Sequence, residues 1–178
     1  MKIINLGLPK TGTTSLERVL LKKGYRVCHG PYPIALNGKT TSQQLDEIDE
    51  KYDALLEWVG LFPIDVVLSK WPDAIYLNTV RAYPDWIDSC RRHFRASPSK
   101  RVRQCRMLRF GTAKFDKSVM ADFFDDHIAN MNRIVYGEGI IKVRNLYVTT
   151  GDTINDLDSI IEPHKAIRQF PHARKGRR

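Results

Sequence analysis

The stretch GLPKTGTTS sets Gly7 and Gly12 around four residues, with Lys10 and Thr11 between them and Thr13 and Thr14 directly after. A glycine-bearing turn that feeds a helix presents free backbone N–H groups and the positive end of the helix dipole to an anion. The hydroxyls of Thr11, Thr13 and Thr14 add donors. In the related nucleotide-triphosphate motif a lysine follows the second glycine, reaches the β and γ phosphates, and stands beside a hydroxyl that supports magnesium. Here Thr13 takes that place and the lysine lies earlier, at Lys10, so a magnesium-bound triphosphate is not the expected ligand. A plain strand-to-helix turn would need neither three threonines nor a lysine.

A second constellation lies in TVRAYPDWIDSC. Arg81 closes a predicted strand, Pro84 opens a predicted helix, and Ser89 stands eight positions after Arg81, about two helical turns by sequence distance. A guanidinium and a hydroxyl so placed can face one anion.

These residues need a scaffold that brings strand ends together. KIINLGL reads as an apolar strand, and Leu16, Val19 and Leu20 then share a helical face that ends at Lys22, Lys23 and Gly24. YRVCHG is a second strand. TSQQLDEIDEKY follows as a helix, with Thr41 and Gln44 at capping-box spacing. DALLEWV and AIYLNTV read as strands, and Pro63 opens a helix between them over IDVVLSKW. YPDWIDSCRRHF lines up Trp86, Cys90 and Phe94 on one stripe. SVMADFFDDHIANMNRIVY is a long amphipathic helix, NLYVTT a fifth strand, and TINDLDSII a short helix capped by Asp152. Strands alternating with helices predict an α/β fold of three αβα layers around a central parallel sheet, with ligands beyond the strands' C-terminal ends.

The 178 residues, 42% of them hydrophobic, suit one domain spanning 1–178. A net charge of +9 favours an anionic partner. Cys28, Cys90 and Cys105 are widely spaced and form no CxxC pair, which argues against a disulfide framework or zinc site and for a reducing, cytoplasmic setting. No segment approaches 18 uninterrupted apolar residues, so no membrane span is expected.

GLPKTGTTSL resembles the 5′-phosphosulfate loop of the sulfotransferases, and Arg81 with Ser89 is similar to their 3′-phosphate signature. The resemblance is closest to a compact branch with a GLPRTGTTSL-like loop. Val27-Cys28-His29 matches its CYH-like triplet, DALLEWV its DAVxDWP-like segment, LNTVR its LTVR, YPDWIDS its DPxxWxxS-like helix, and FPH its C-terminal signature. The chain departs from that branch at Val59, where DWP has its proline, and at Tyr83, where an acidic or amide residue commonly precedes the proline.

The resemblance implies a P-loop NTPase-like sulfotransferase fold. It further implies in-line transfer of a sulfuryl group from 3′-phosphoadenosine 5′-phosphosulfate to a hydroxyl or amine, without a metal, leaving adenosine 3′,5′-bisphosphate. By position, Pro9, Lys10, Thr11, Gly12, Thr13, Thr14 and Ser15 would cradle the 5′-phosphosulfate, with Lys10 at its bridging oxygen. Arg81 and Ser89 would take the 3′-phosphate. Members of the family use a histidine or a glutamate after their third strand as the base, which makes Glu57 the positional candidate and His29, after the second strand, its competitor. A catalytic Glu57 is expected to need partial burial that raises its pKa.

Residues 95–118 form a basic connector, bearing Arg95, Lys100, Arg101, Arg103, Arg106, Arg109, Lys114 and Lys117 against Asp116 alone. As a solvated loop it would be inert; beside the site it would favour an acidic acceptor, a small molecule or a glycan. The tail 171–178 is also basic, is expected to be disordered, and holds Arg174, Lys175 and Gly176 in an RKG arrangement that sulfotransferases place against the 3′-phosphate. Two alternatives use other chemistry. A P-loop kinase would require magnesium, and a nucleic-acid-binding module would explain the charge but leave the opening loop and the Arg81/Ser89 pair without a role.

Overall fold

The computed structural model describes residues 2–30, 38–95, 98–137, 142–149, 157 and 159–161. Among them are the strands β1 (Ile3–Asn5), β2 (Val27–His29), β3 (Ala54–Leu56), β4 (Ile75–Thr79) and β5 (Val143–Leu146). The helices are α1 (Thr13–Lys22), α2 (Thr41–Lys51), α3 (Ile64–Lys70), α4 (Tyr83–Arg95), α5 (Lys100–Phe110) and α6 (Lys117–Tyr136). Every strand pair is parallel, in the order β2-β3-β1-β4-β5. The expected α/β architecture is thus present.

Ile3–Ile4 of β1, Ala54–Leu56 of β3 and Ile75–Leu77 of β4 are apolar at successive positions because both faces of the central sheet are covered. Ile3, Ala54, Leu56 and Leu77 pack with Leu16, Val19 and Leu20 of α1. The alternate residues Ile4, Leu55 and Tyr76 pack with Leu45 and Ile48 of α2, Val67 of α3, and Met131 and Ile134 of α6. A third apolar cluster seats Trp86, Cys90, Phe94, Phe110 and Met120 on Leu8, in the loop after β1. The loop after β1 therefore has helices over it.

From β1 the chain crosses toward β2, whereas from β4 it crosses toward β5 on the other side. Adjacent strands whose connections diverge leave a crevice at their C-terminal ends. That crevice lies between the GLPKTGTTS loop and Arg81.

Local readings shift in three places. The capping box forms one residue earlier than Thr41/Gln44: the Thr40 hydroxyl accepts from the Gln43 N–H, and the Gln43 side chain accepts from the Thr40 N–H. The doubled Thr-Thr and Gln-Gln satisfy either spacing, and burial of Leu45 and Ile48 selects the register. The fifth strand begins at Val143 and ends at Leu146, because its pairing with Tyr76–Thr79 ends there and Val148 turns in against Gly12. The basic connector contains α5, capped by Ser99 and closed by Gly111 at φ 70°, in place of a solvated loop. The short helix read over TINDLDSII, its Asp152 cap and the tail 171–178 lie outside the described residues, except that Leu157 and Ile161 are buried with α1.

Candidate active site

Because the sheet is parallel, the ends of β1, β2, β3 and β4 deliver the opening loop, His29, Glu57 and Arg81 to one edge. The loop is tight and braced. Gly7 lies so close to β4 that an added Cβ would stand 2.5 Å from the Thr79 carbonyl oxygen and 2.6 Å from its nitrogen, which excludes any side chain. The Asn5 side chain donates to the Thr79 hydroxyl (3.1 Å), and the Thr11 and Thr79 hydroxyls meet at 2.7 Å. The Thr11 hydroxyl also donates to the Leu8 carbonyl at 2.5 Å, so it holds the loop in shape. Gly12, at φ 106°, is the N-cap of α1, where no side chain caps the helix and no acid occupies the first turn. The end of α1 is left open to an anion.

The second constellation is hydrogen-bonded onto the first. Arg81 Nη1 donates to the Lys10 carbonyl at 3.1 Å, and Trp86 Nε1 donates to the Pro9 carbonyl at 2.8 Å. Arg81 Nε is buried and has no partner among the described residues. A shallow depression beside it is floored by Asn78 and Thr79 and walled by Phe124 and His127 of α6. Ser89 is half-buried on α4, next to the buried Cys90. Thr14 and Ser15 are half-buried on the first turn of α1, where the Ser15 N–H donates back to the Gly12 carbonyl.

Glu57 and His29 are in contact. His29 Nε2 lies 3.3 Å from Glu57 Oε1, and its Nδ1 lies 2.7 Å from Glu17 Oε2 of α1. Thr13 donates its hydroxyl to Glu57 Oε1 at 2.6 Å, so this side chain faces the carboxylate. Arg109 Nη1 stands 3.8 Å from Glu57 Oε2, and Arg109 Nη2 donates to the Glu57 carbonyl. Burial opposes ionisation of Glu57. The hydrogen bond and charge of His29, the charge of Arg109 and the Thr13 hydroxyl outweigh it and hold the carboxyl well below the usual range. Partial burial thus does not raise the pKa as expected. For His29 burial again opposes the charged form, and Glu57 and then Glu17 reverse the sign, raising its pKa.

Lys10 (φ 73°) and Glu57 (φ 55°) are the non-glycine residues with left-handed backbone among those described, and both line the same cleft. Strain of this kind persists where surrounding structure enforces it, typically at a functional site. The cleft continues between α4 and α5, where Arg106 and Arg109 are buried in its wall.

The sulfotransferase domain family matches residues 2–176, almost the whole length. This chain belongs to that family. Curated proteins show no match to it. The parallel five-stranded sheet between helical layers agrees with the P-loop-like fold of a sulfotransferase.

Sequence reasoning did not single out Glu17, Thr79 or Trp86 as parts of this site, and it named Arg106 and Arg109 only within a basic connector that could lie beside it. For α5 a signal was present: Val102, Cys105, Arg106, Arg109 and Phe110 have the spacing of one helical face. Two arginines on that face hid it from an apolar-periodicity reading. Among the described residues no group of three or more His, Cys, Asp and Glu side chains could hold a metal.

Proposed function

We propose that this sulfotransferase moves a sulfuryl group from 3′-phosphoadenosine 5′-phosphosulfate to a hydroxyl or amine acceptor by in-line displacement. The observation that carries the reading is the Arg81–Lys10 hydrogen bond, which sets a guanidinium whose buried Nε has no hydrogen-bond partner among the described residues directly against the loop that opens α1. An anion at each position would complete both groups, and a nucleotide with separated phosphates fits that pair.

The loop from Pro9 through Thr11, Gly12, Thr13 and Thr14 to Ser15 would hold the 5′ end, chiefly through main-chain N–H groups. Arg81 and Ser89 would hold the 3′-phosphate. The bound donor supplies an activated sulfuryl group on a phosphate leaving group. Lys10 supplies positive charge where negative charge grows on the bridging oxygen as it departs with the bond's electron pair. Glu57 accepts the proton of the acceptor while the acceptor's oxygen or nitrogen forms its bond to sulfur. His29, with Glu17 behind it, orients the carboxylate. The free, buried thiols of Cys28, Cys90 and Cys105 support a reducing, cytoplasmic setting, and among the described residues no helix is long and apolar enough to cross a membrane.

Titration calorimetry with adenosine 3′,5′-bisphosphate and with adenosine 5′-monophosphate tests this reading. The bisphosphate should bind much more tightly, and Arg81→Ala should weaken it by about 1.5–3 kcal/mol, the range for a hydrogen bond to a charged group, with the fold intact. Equal affinity for both nucleotides would remove Arg81 from a 3′-phosphate site.

A further inference from the structure

Three polar side chains meet in the depression beside the opening loop with bonding capacity to spare. Asn78 and His127 are 9% and 8% exposed, and both line it together with Arg81. Asn78 Nδ2 donates to Asn145 Oδ1 at 2.9 Å, which fixes the amide's orientation and leaves Asn78 Oδ1 buried with no partner among the described residues. Arg81 Nη1 is taken by the Lys10 carbonyl, and its Nε is left over in the same way. The His127 imidazole makes no hydrogen bond or ion pair with the described residues, and burial alone acts on it, lowering its pKa to about 4. It is a neutral ring with one N–H to give. The Thr11 and Thr79 hydroxyls, which line the same depression, satisfy each other.

Buried polar groups left unpaired are costly, so a convergent set of them marks a place for a ligand. Which ligand follows from the donors and acceptors. Asn78 Oδ1 can only accept, so an anion cannot satisfy it. A hydroxyl can, because it donates its proton to the amide oxygen and accepts from the imidazole N–H. Size points the same way. The depression holds about 40 Å³, enough for a hydroxyl, whereas an enclosed ring the size of benzene needs roughly 150 Å³. Leu8, Phe124 and Ile128 line the remainder, and an apolar surround strengthens each hydrogen bond made there.

We infer that Asn78 and His127 read the ribose 2′-hydroxyl of the bound nucleotide, so that the site selects ribonucleotides over 2′-deoxyribonucleotides. The inference deepens the donor reading above and rests on it for one step. With the 3′-phosphate on Arg81, the hydroxyl on the neighbouring ribose carbon is the nucleotide group nearest the depression. Arg81 Nε then serves the phosphate at the mouth, and Asn78 and His127 serve the hydroxyl inside.

Titration calorimetry on the full chain compares four ligands: adenosine 3′,5′-bisphosphate, its 2′-deoxy analogue, and the 5′-monophosphates of adenosine and 2′-deoxyadenosine. The ribose bisphosphate should bind about tenfold more tightly than the deoxyribose one, the effect of one to two neutral hydrogen bonds. Asn78→Leu and His127→Phe should each narrow that ratio by weakening the ribose ligand more than the deoxyribose one. The wild-type comparison needs no variant, so it stands even where a variant misfolds. Equal wild-type affinity for the two bisphosphates overturns the inference, and so do folded variants that weaken both alike. Tight bisphosphate binding without a ribose preference leaves the donor reading in place. A ribose preference within both pairs, with bisphosphates no tighter than monophosphates, would sink the 3′-phosphate assignment and support the hydroxyl site. Binding of none of the four would overturn both.

Discussion

Glu57 meets the imidazole of His29, the Thr13 hydroxyl and the Arg109 guanidinium, and each favours the carboxylate over the acid. In the proposed transfer a base so weakened would still suffice, because the acceptor O–H becomes acidic only as its oxygen bonds to sulfur. Glu57→Gln keeps the side chain's size and removes the charge. It should lower kcat by about 10²–10⁴-fold, the usual contribution of a positioned base, with bisphosphate affinity unchanged. Initial rates alongside calorimetry check this, and undiminished turnover would pass the proton to another group. The histidines set opposite limbs of the stability profile. The pKa of His29 is raised above 6.5, so its contribution is complete below that value and is lost as pH rises through the folded value. Burial lowers the pKa of His127 from 6.5 to about 4, so its neutral form favours folding above pH 6.5, and up to about 3 kcal/mol is lost as pH falls toward 4. Thermal midpoints measured across pH should show an alkaline decline that His29→Gln flattens and an acid decline that it leaves in place.

At the scale of elements, the opening loop keeps its shape because β4 and α4 grip it from both sides. Thr79 meets Asn5 and Thr11, while Trp86 and Arg81 take the carbonyls of Pro9 and Lys10. Gly7 is the point of closest approach. Gly7→Ala should cost about 1–3 kcal/mol through overpacking against Thr79, visible as a lower urea midpoint, and should loosen nucleotide binding by shifting the loop. An unchanged midpoint would mean that β1 and β4 can separate without penalty. The helix α5 follows a different logic: its arginine stems pack where apolar side chains would ordinarily serve, and its guanidinium groups line the cleft.

Over the whole molecule, the candidate site gathers the ends of four parallel strands, so a nucleotide spanning the loop and Arg81 would tie β1 to β4 across the crevice. Such a ligand stabilises the native state by mass action. At about one hundred times its Kd, adenosine 3′,5′-bisphosphate should add about 2.7 kcal/mol, and at roughly 2–4 °C per kcal/mol for a chain of this size the thermal midpoint should rise by about 5–10 °C. Differential scanning fluorimetry measures it, and no rise at saturation would count against the donor assignment.

The order of strands and helices, the buried stripe of α4 and the glycine-bearing loop that opens α1 were legible in the sequence, because periodicity, glycine spacing and chain order are local properties. The linear text could not say that His29 touches Glu57, that Thr13 turns to that carboxylate, or that an arginine-rich connector folds into a wall of the cleft. Those facts depend on which strand ends become neighbours. The sign of the Glu57 shift depended on them most, since burial alone pushes a carboxyl up and only the company assembled by the sheet pulls it down.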